Sequence, residues 1–121
     1  MAIPPAPTTA RLVRRRAYSR QSRQAVTVLG QLIRIGRIER ALSVQGLAER
    51  LGVSRDLVQR IEHGDPRCGI GVALEAATIV GVPLFDADRT RLTEQAERGT
   101  EKLRLLPKAV RKRATGVNDD F

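Results

Sequence analysis

The chain has 121 residues, a formal net charge of +9, one Cys, one His, no Trp, two Phe and one Tyr. This length holds one small domain with tails, not two domains, and too small a core for an elaborate enclosed active site. A single Cys excludes an internal disulfide framework and Cys-based zinc modules, and so few aromatics argue against single-strand binders that stack bases. In chain order, residues 1–24 carry Arg11, Arg14, Arg15, Arg16, Arg20 and Arg23 and no acid. Residues 1–10 are rich in Pro, Ala and Thr and read as disordered. Residues 11–24 read as a loose arm or as a helix that forms on an anion, and 1–24 as a whole is expected to be a disordered, Arg-rich arm.

From Ala25 the composition changes. Val28, Leu29, Leu32, Ile33 and Ile35 recur with helical spacing to about Arg40. Ser43 is a good N-cap for a second helix, Val44–Leu51, which Gly52 ends. Ser54 caps a third, Arg55–His63, ended by Gly64, and Asp65–Gly69 is a loop containing Pro66. Ile70–Val80 is a fourth, stopped by Gly81 with Pro83 beyond. Connections are short and no period-two segment appears. The prediction is an all-α domain of four to five helices over residues 25–85.

Leu92, Ala96, Gly99, Leu103 and Leu106 follow at intervals of four, three, four and three. They form a narrow apolar seam on a helix within residues 86–107, with Asp86 or Asp88 suited to its N-terminus and Pro107 as its stop. The seam packs on its own domain or contributes to a dimer. Gly99 costs about 1 kcal/mol of helix propensity or lets a neighbour approach closely. Residues 108–121 read as a flexible tail, with Lys108, Arg111, Lys112 and Arg113 ahead of Asp119, Asp120 and Phe121. The middle, 25–107, holds 12 basic and 11 acidic residues, so the arms carry most of the charge excess. That excess points to a polyanionic partner. No apolar run approaches the length of a membrane span, and no apolar leader is evident, so neither a transmembrane helix nor a signal peptide is expected.

Residues 44–61 carry the function. Ala48 is small where one short helix must cross another, and Gly52 sits where the turn is tightest. Leu47, Leu51, Val53, Val58 and Ile61 supply a shared core. This spacing is the helix-turn-helix pattern. With Leu42, Ser43 and the closing Glu62, His63 and Gly64, the stretch resembles the phage-repressor-like helix-turn-helix family, of Xre type and lambda-repressor-like fold. The resemblance spans about Leu29–Leu84. It implies a five-helix DNA-binding domain, here flanked by the basic arm and by the C-terminal helix and tail. It further implies a homodimer, a pseudo-palindromic double-stranded DNA operator, and a bacterial, cytoplasmic, nucleoid-associated regulator.

The resemblance also assigns residues. Arg37 and Glu62 are expected to form a structural ion pair between the first and third helices. Arg55, Asp56, Gln59 and Arg60 fall on the base-reading positions. Arg can take guanine bidentately and Asp can accept from cytosine, so a half-site containing G·C is expected. Asp56 can instead favour the helix N-terminus and orient Arg60. Ser43, Ser54, His63 and Arg67 fall on phosphate-contacting positions. Val44 departs from the family, which often has Gln there, and cannot make that phosphate hydrogen bond. The six arm arginines are expected to contact DNA without sequence preference. A lone His and a lone Cys68 are not metal ligands, and no metal or cofactor is expected.

The basic tail ending in Asp-Asp-Phe resembles, more weakly, the tails of HipB-like antitoxins, partners of HipA-type kinases. That likeness implies an autorepressor of a toxin–antitoxin operon. A stand-alone or phage-type repressor, or an interaction scaffold on the same fold, accommodates the same residues. No paired carboxylates, nucleophile set or phosphate loop suggests an enzyme.

Overall fold

The computed structural model describes residues 17–85 and 89–110. Their helices are five: α1 Arg20–Glu39, α2 Val44–Leu51, α3 Arg55–Glu62, α4 Ile70–Ile79 and α5 Arg89–Leu105. The fold class is all-α. The chain divides into two compact units between Val82 and Pro83, the first holding α1–α4 and the second α5.

Three of the four helix starts in the first unit, and all four stops, have a local cause; α4 starts at Gly69 without a side-chain cap. Ser19, Ser43 and Ser54 sit at N-caps, and their hydroxyls accept from the backbone N–H groups of Ser22, Gly46 and Leu57. This satisfies one orphan donor per helix. The Ser19 cap starts α1 five residues before Ala25. Arg20 and Arg23 therefore stand in the first turns of a helix rather than in a loose arm. Cations are disfavoured at a helix N-terminus, and the first turn holds no acid, so composition alone places the boundary too late. At the other ends, Leu42, Val53, Asp65 and Val82 donate N–H to the carbonyls of Arg37, Ala48, Arg60 and Ala77. All four are the same closing bond of a Schellman loop. The left-handed residue it needs is Gly52, Gly64 or Gly81 in three cases and Ala41, at φ 55°, in the fourth.

The core of the first unit is Ile33, Leu47, Ala48, Val58, Ile61, Ala76, Ala77 and Val80. Leu51 and Val53, expected in the shared core, are half-buried. The apolar residues of α1 divide between two faces. Ile33 is fully buried and Leu29 half-buried, but Val28, Leu32, Ile35 and Ile38 are 44–56% exposed. Two glycines set how closely α1 meets its neighbours. A Cβ at Gly30 would stand 2.5 Å from the Ile61 carbonyl oxygen, and one at Gly36 would stand 2.7 Å from that of Val80. Arg40 Nη1 donates to that same Val80 carbonyl, so the closing turn of α4 rests on the end of α1.

In the second unit, α5 buries no residue. Of its apolar seam, Leu92 is half-buried, while Ala96, Gly99, Leu103 and Leu106 are exposed. A Cβ at Gly99 would meet open space, so Gly99 serves no close approach among the described residues. Asp86 and Asp88 lie outside the described residues, as do residues 111–121 of the tail.

These glycines respond oppositely to alanine. Gly30→Ala forces α1 away from backbone atoms and lowers stability by about 1–3 kcal/mol despite better helix propensity. Gly99→Ala raises the helicity of α5 and is worth about 1 kcal/mol to that helix. Chemical denaturation of the first variant and circular dichroism of the second check both signs.

Candidate nucleic-acid interface

The site is built on one buried contact. Arg37 Nε donates to Glu62 Oε2 at 2.6 Å, and Nη2 donates to Oε1 at 3.0 Å. The third arm, Nη1, donates to the Leu42 carbonyl at 2.9 Å. The side chains are 11% and 4% exposed. One guanidinium thus joins α1, the loop leading into α2 and the last residue of α3. The hydrogen bond from Arg37 to Glu62 holds the guanidinium above its ordinary pKa, against the opposing effect of burial. With its donors engaged inside the protein, Arg37 acts on α3 rather than outward.

That contact and Gly30 grip the same end of α3. The opposite face is left to solvent. At about 100° per residue, Arg55, Asp56, Gln59 and Arg60 share one side of an eight-residue helix, and all four are exposed. Val58, Ile61 and Glu62 occupy the buried side. Arg60 lies between two acids, with Nε 3.9 Å from Asp56 Oδ2 and Nη1 3.9 Å from Asp65 Oδ2. At that distance the contacts orient Arg60 without tying down its donors.

The remaining sequence-assigned residues border this face. The Ser43 and Ser54 hydroxyls accept from backbone within their caps, and each retains an O–H that can donate to phosphate. His63 is the C-cap of α3, is exposed, and has Nδ1 2.6 Å from the Gln59 carbonyl. Arg67 is 77% exposed but clamps Asp65: its backbone N–H and Nε both reach Oδ1, at 2.9 and 3.1 Å, and Nη2 reaches Oδ2 at 3.2 Å. Arg67 therefore presents a charge already partly compensated. Burial pushes the Cys68 thiol above its ordinary pKa, with the nearby Asp65 charge adding to this. Arg11, Arg14, Arg15 and Arg16 lie outside the described residues, whereas Arg20 and Arg23 project from the start of α1.

Asp65 is the residue that sequence reasoning passed over. Its carboxylate is only 12% exposed and links Arg67 to Arg60. The signal was local: an Asp two residues before an Arg across a Pro, just past a helix-ending Gly. Hydrogen bonds from the Arg67 side chain and backbone hold this carboxyl below the usual Asp range.

A family model described as a helix-turn-helix domain matches residues 28–92, more than half of the chain. The chain belongs to this family of helix-turn-helix domains, a class of DNA-binding regulators. The matched span runs from within α1 to the first turn of α5. No curated protein and no solved structure gives a significant match. Among the described residues, no helix is long and apolar enough to cross a membrane, and no cluster of His, Cys, Asp and Glu could hold a metal.

Two measurements probe the frame. Glu62→Ala leaves Arg37 buried without its carboxylate and destabilises the fold by about 3–5 kcal/mol. Thermal melting should show a large drop, with base preference in the folded fraction unchanged. Asp65 carries a depressed pKa in the folded state, so its contribution is present above about pH 4. That contribution is lost as pH falls through the lower folded value. Asp65→Asn should therefore show a shallower loss of stability below pH 4 than the unaltered chain in acid titrations followed by circular dichroism.

Proposed function

We propose that this protein is a transcriptional repressor that reads a pseudo-palindromic double-stranded DNA operator as a homodimer. The observation that carries the reading is the exposed polar face of α3, held rigid from behind by the buried Arg37–Glu62 contact. In this reading the N-terminal half of α3 enters the major groove. Arg55 and Arg60 contact guanine, Asp56 accepts from cytosine, and Gln59 completes the reading face. Ser43, Ser54, His63 and Arg67 contact phosphate and set the register. The arm arginines add affinity without sequence information. The protein performs no catalysis and acts on the bacterial nucleoid in the cytoplasm.

The composition of the tail extends the proposal. A basic block followed by Asp119, Asp120 and Phe121 suits capture of a protein partner by a small apolar anchor with charge around it. On this basis the repressor is the antitoxin of a toxin–antitoxin operon, holding a HipA-type kinase. Recovery of such a kinase with the tagged chain from its native host supports this extension. Recovery of operator DNA alone leaves a stand-alone repressor.

Selection of operators from a random duplex pool tests the DNA reading. The unaltered chain should yield a two-fold symmetric site. Arg60→Ala should lose about 1–3 kcal/mol at one base position and little elsewhere. Replacing Arg11, Arg14, Arg15 and Arg16 together by Ala should keep the selected site. It should also lower the slope of log affinity against log salt by up to about 4. Uniform weakening across all sequences by Arg60→Ala would remove the base-reading role. A shifted site in the arm variant would place the arm in the minor groove instead.

A further inference from the structure

The outward face of α1 is apolar, and DNA reading by α3 makes no use of it. Gln21, Ala25, Val28, Leu32, Ile35 and Glu39 are spaced by four, three, four, three and four residues. At about 100° per residue they fall within an arc of about 80° on α1. All six are exposed, with Val28 at 50%, Leu32 at 44% and Ile35 at 50%. A 3.5-residue repeat of this kind is the seam of a helix pair. The core-facing residues Gly30, Ile33 and Arg37 lie on the opposite side of the same helix.

We infer that this stripe is the dimer interface, and that its occupant is the α1 of a second copy, antiparallel about a two-fold axis. The inference rests on the homodimer proposed above and adds the surface and the register. The spacing is symmetric about residue 30. An antiparallel partner therefore sets Ala25 against Ile35 of the second copy and Val28 against Leu32. The shorter side chain faces the longer in each layer, Ala against Ile and Val against Leu, which fills space evenly. The polar ends agree as well, because Gln21 meets Glu39 of the second copy and its amide can donate to that carboxylate. A parallel partner would instead set Ala25 against Ala25 and Glu39 against Glu39, leaving a gap at one end and like charges at the other.

Charge on the flanks points the same way. A self-complementary interface brings each flank against its own copy, so charged flanks repel. Gln24 and Gln31, which border the stripe, are neutral. The exposed seam of α5 contains Ala96 and Gly99, so it offers less apolar surface. Three half-exposed aliphatics per copy bury less than the about 800 Å² per partner of a standard interface. The dimer is accordingly concentration-dependent in free solution.

Sedimentation of the full chain over a concentration series tests this, with a thermal melt of every variant. The unaltered chain should pass from monomer to dimer. Leu32→Glu should remove the dimer while keeping the melting temperature that the unaltered chain shows at concentrations where it is monomeric, since Leu32 lies outside the core, and Ile35→Glu serves as a second variant. Leu103→Glu, on the α5 seam, should leave the dimer intact. Gln21→Lys should strengthen the dimer by facing Glu39 of the second copy. Weakening by Gln21→Lys would overturn the antiparallel register. Loss of the dimer in Leu103→Glu but not in Leu32→Glu would overturn the α1 face. A chain monomeric at every concentration would overturn the inference and the homodimer reading together, while the operator selection stands or fails separately.

Discussion

The bidentate contact between Arg37 and Glu62 is the constraint on which the placement of α3 depends. Both ions are largely withdrawn from water, so each is tolerated only because the other is present. The third arm of Arg37 takes the Leu42 carbonyl, which ties the loop leading into α2 to the same point. Gly30 adds a steric condition a short distance away, allowing the carbonyls at the end of α3 to lie against the α1 backbone. One polar device and one steric device thus fix the C-terminal end of α3, and its polar face turns outward as a consequence.

Three arginines of the first unit stand in small, local balances. Arg60 stands between Asp56 and Asp65, Arg67 is clamped by Asp65, and Arg37 is consumed by Glu62. The body therefore presents oriented donors rather than a broad positive field. The excess charge sits toward the N-terminus, where residues 1–24 hold six arginines and no acid. In a DNA-binding regulator this separates two effects that often share residues. In the function proposed above, discrimination comes from a few placed side chains, and salt-sensitive attraction comes from elsewhere.

Much of the first unit was legible because its signals are short-range. A serine three residues before an acceptor-seeking N–H caps a helix whatever the rest of the chain does, which is why α2 and α3 lie within a residue of their expected bounds. The failures also have physical causes. Ser19 caps α1, but the arginines after it oppose the helix dipole and disguised the start. Ala41 occupies a left-handed position that composition would assign to Gly. Asp65 reads as an ordinary loop acid until Arg60 and Arg67 converge on it. Gly30 reads as a weak point in a helix until the end of α3 is laid against it.

The sequence alone determined the helices, the tight turn at Gly52 and the residue types able to meet a base edge, because capping, periodicity and turn geometry act over a few residues. It also carried two apolar stripes on α1, and nothing in a 3.6-residue repeat says which stripe finds a neighbour. That was decided by tertiary structure. Covering one face with α3 and α4 requires backbone approach at Gly30 and Gly36 and an ion pair spanning 25 residues. Such contacts form between segments distant in the chain, so only the packed fold reveals that Ile33 is core and that Val28, Leu32 and Ile35 face solvent.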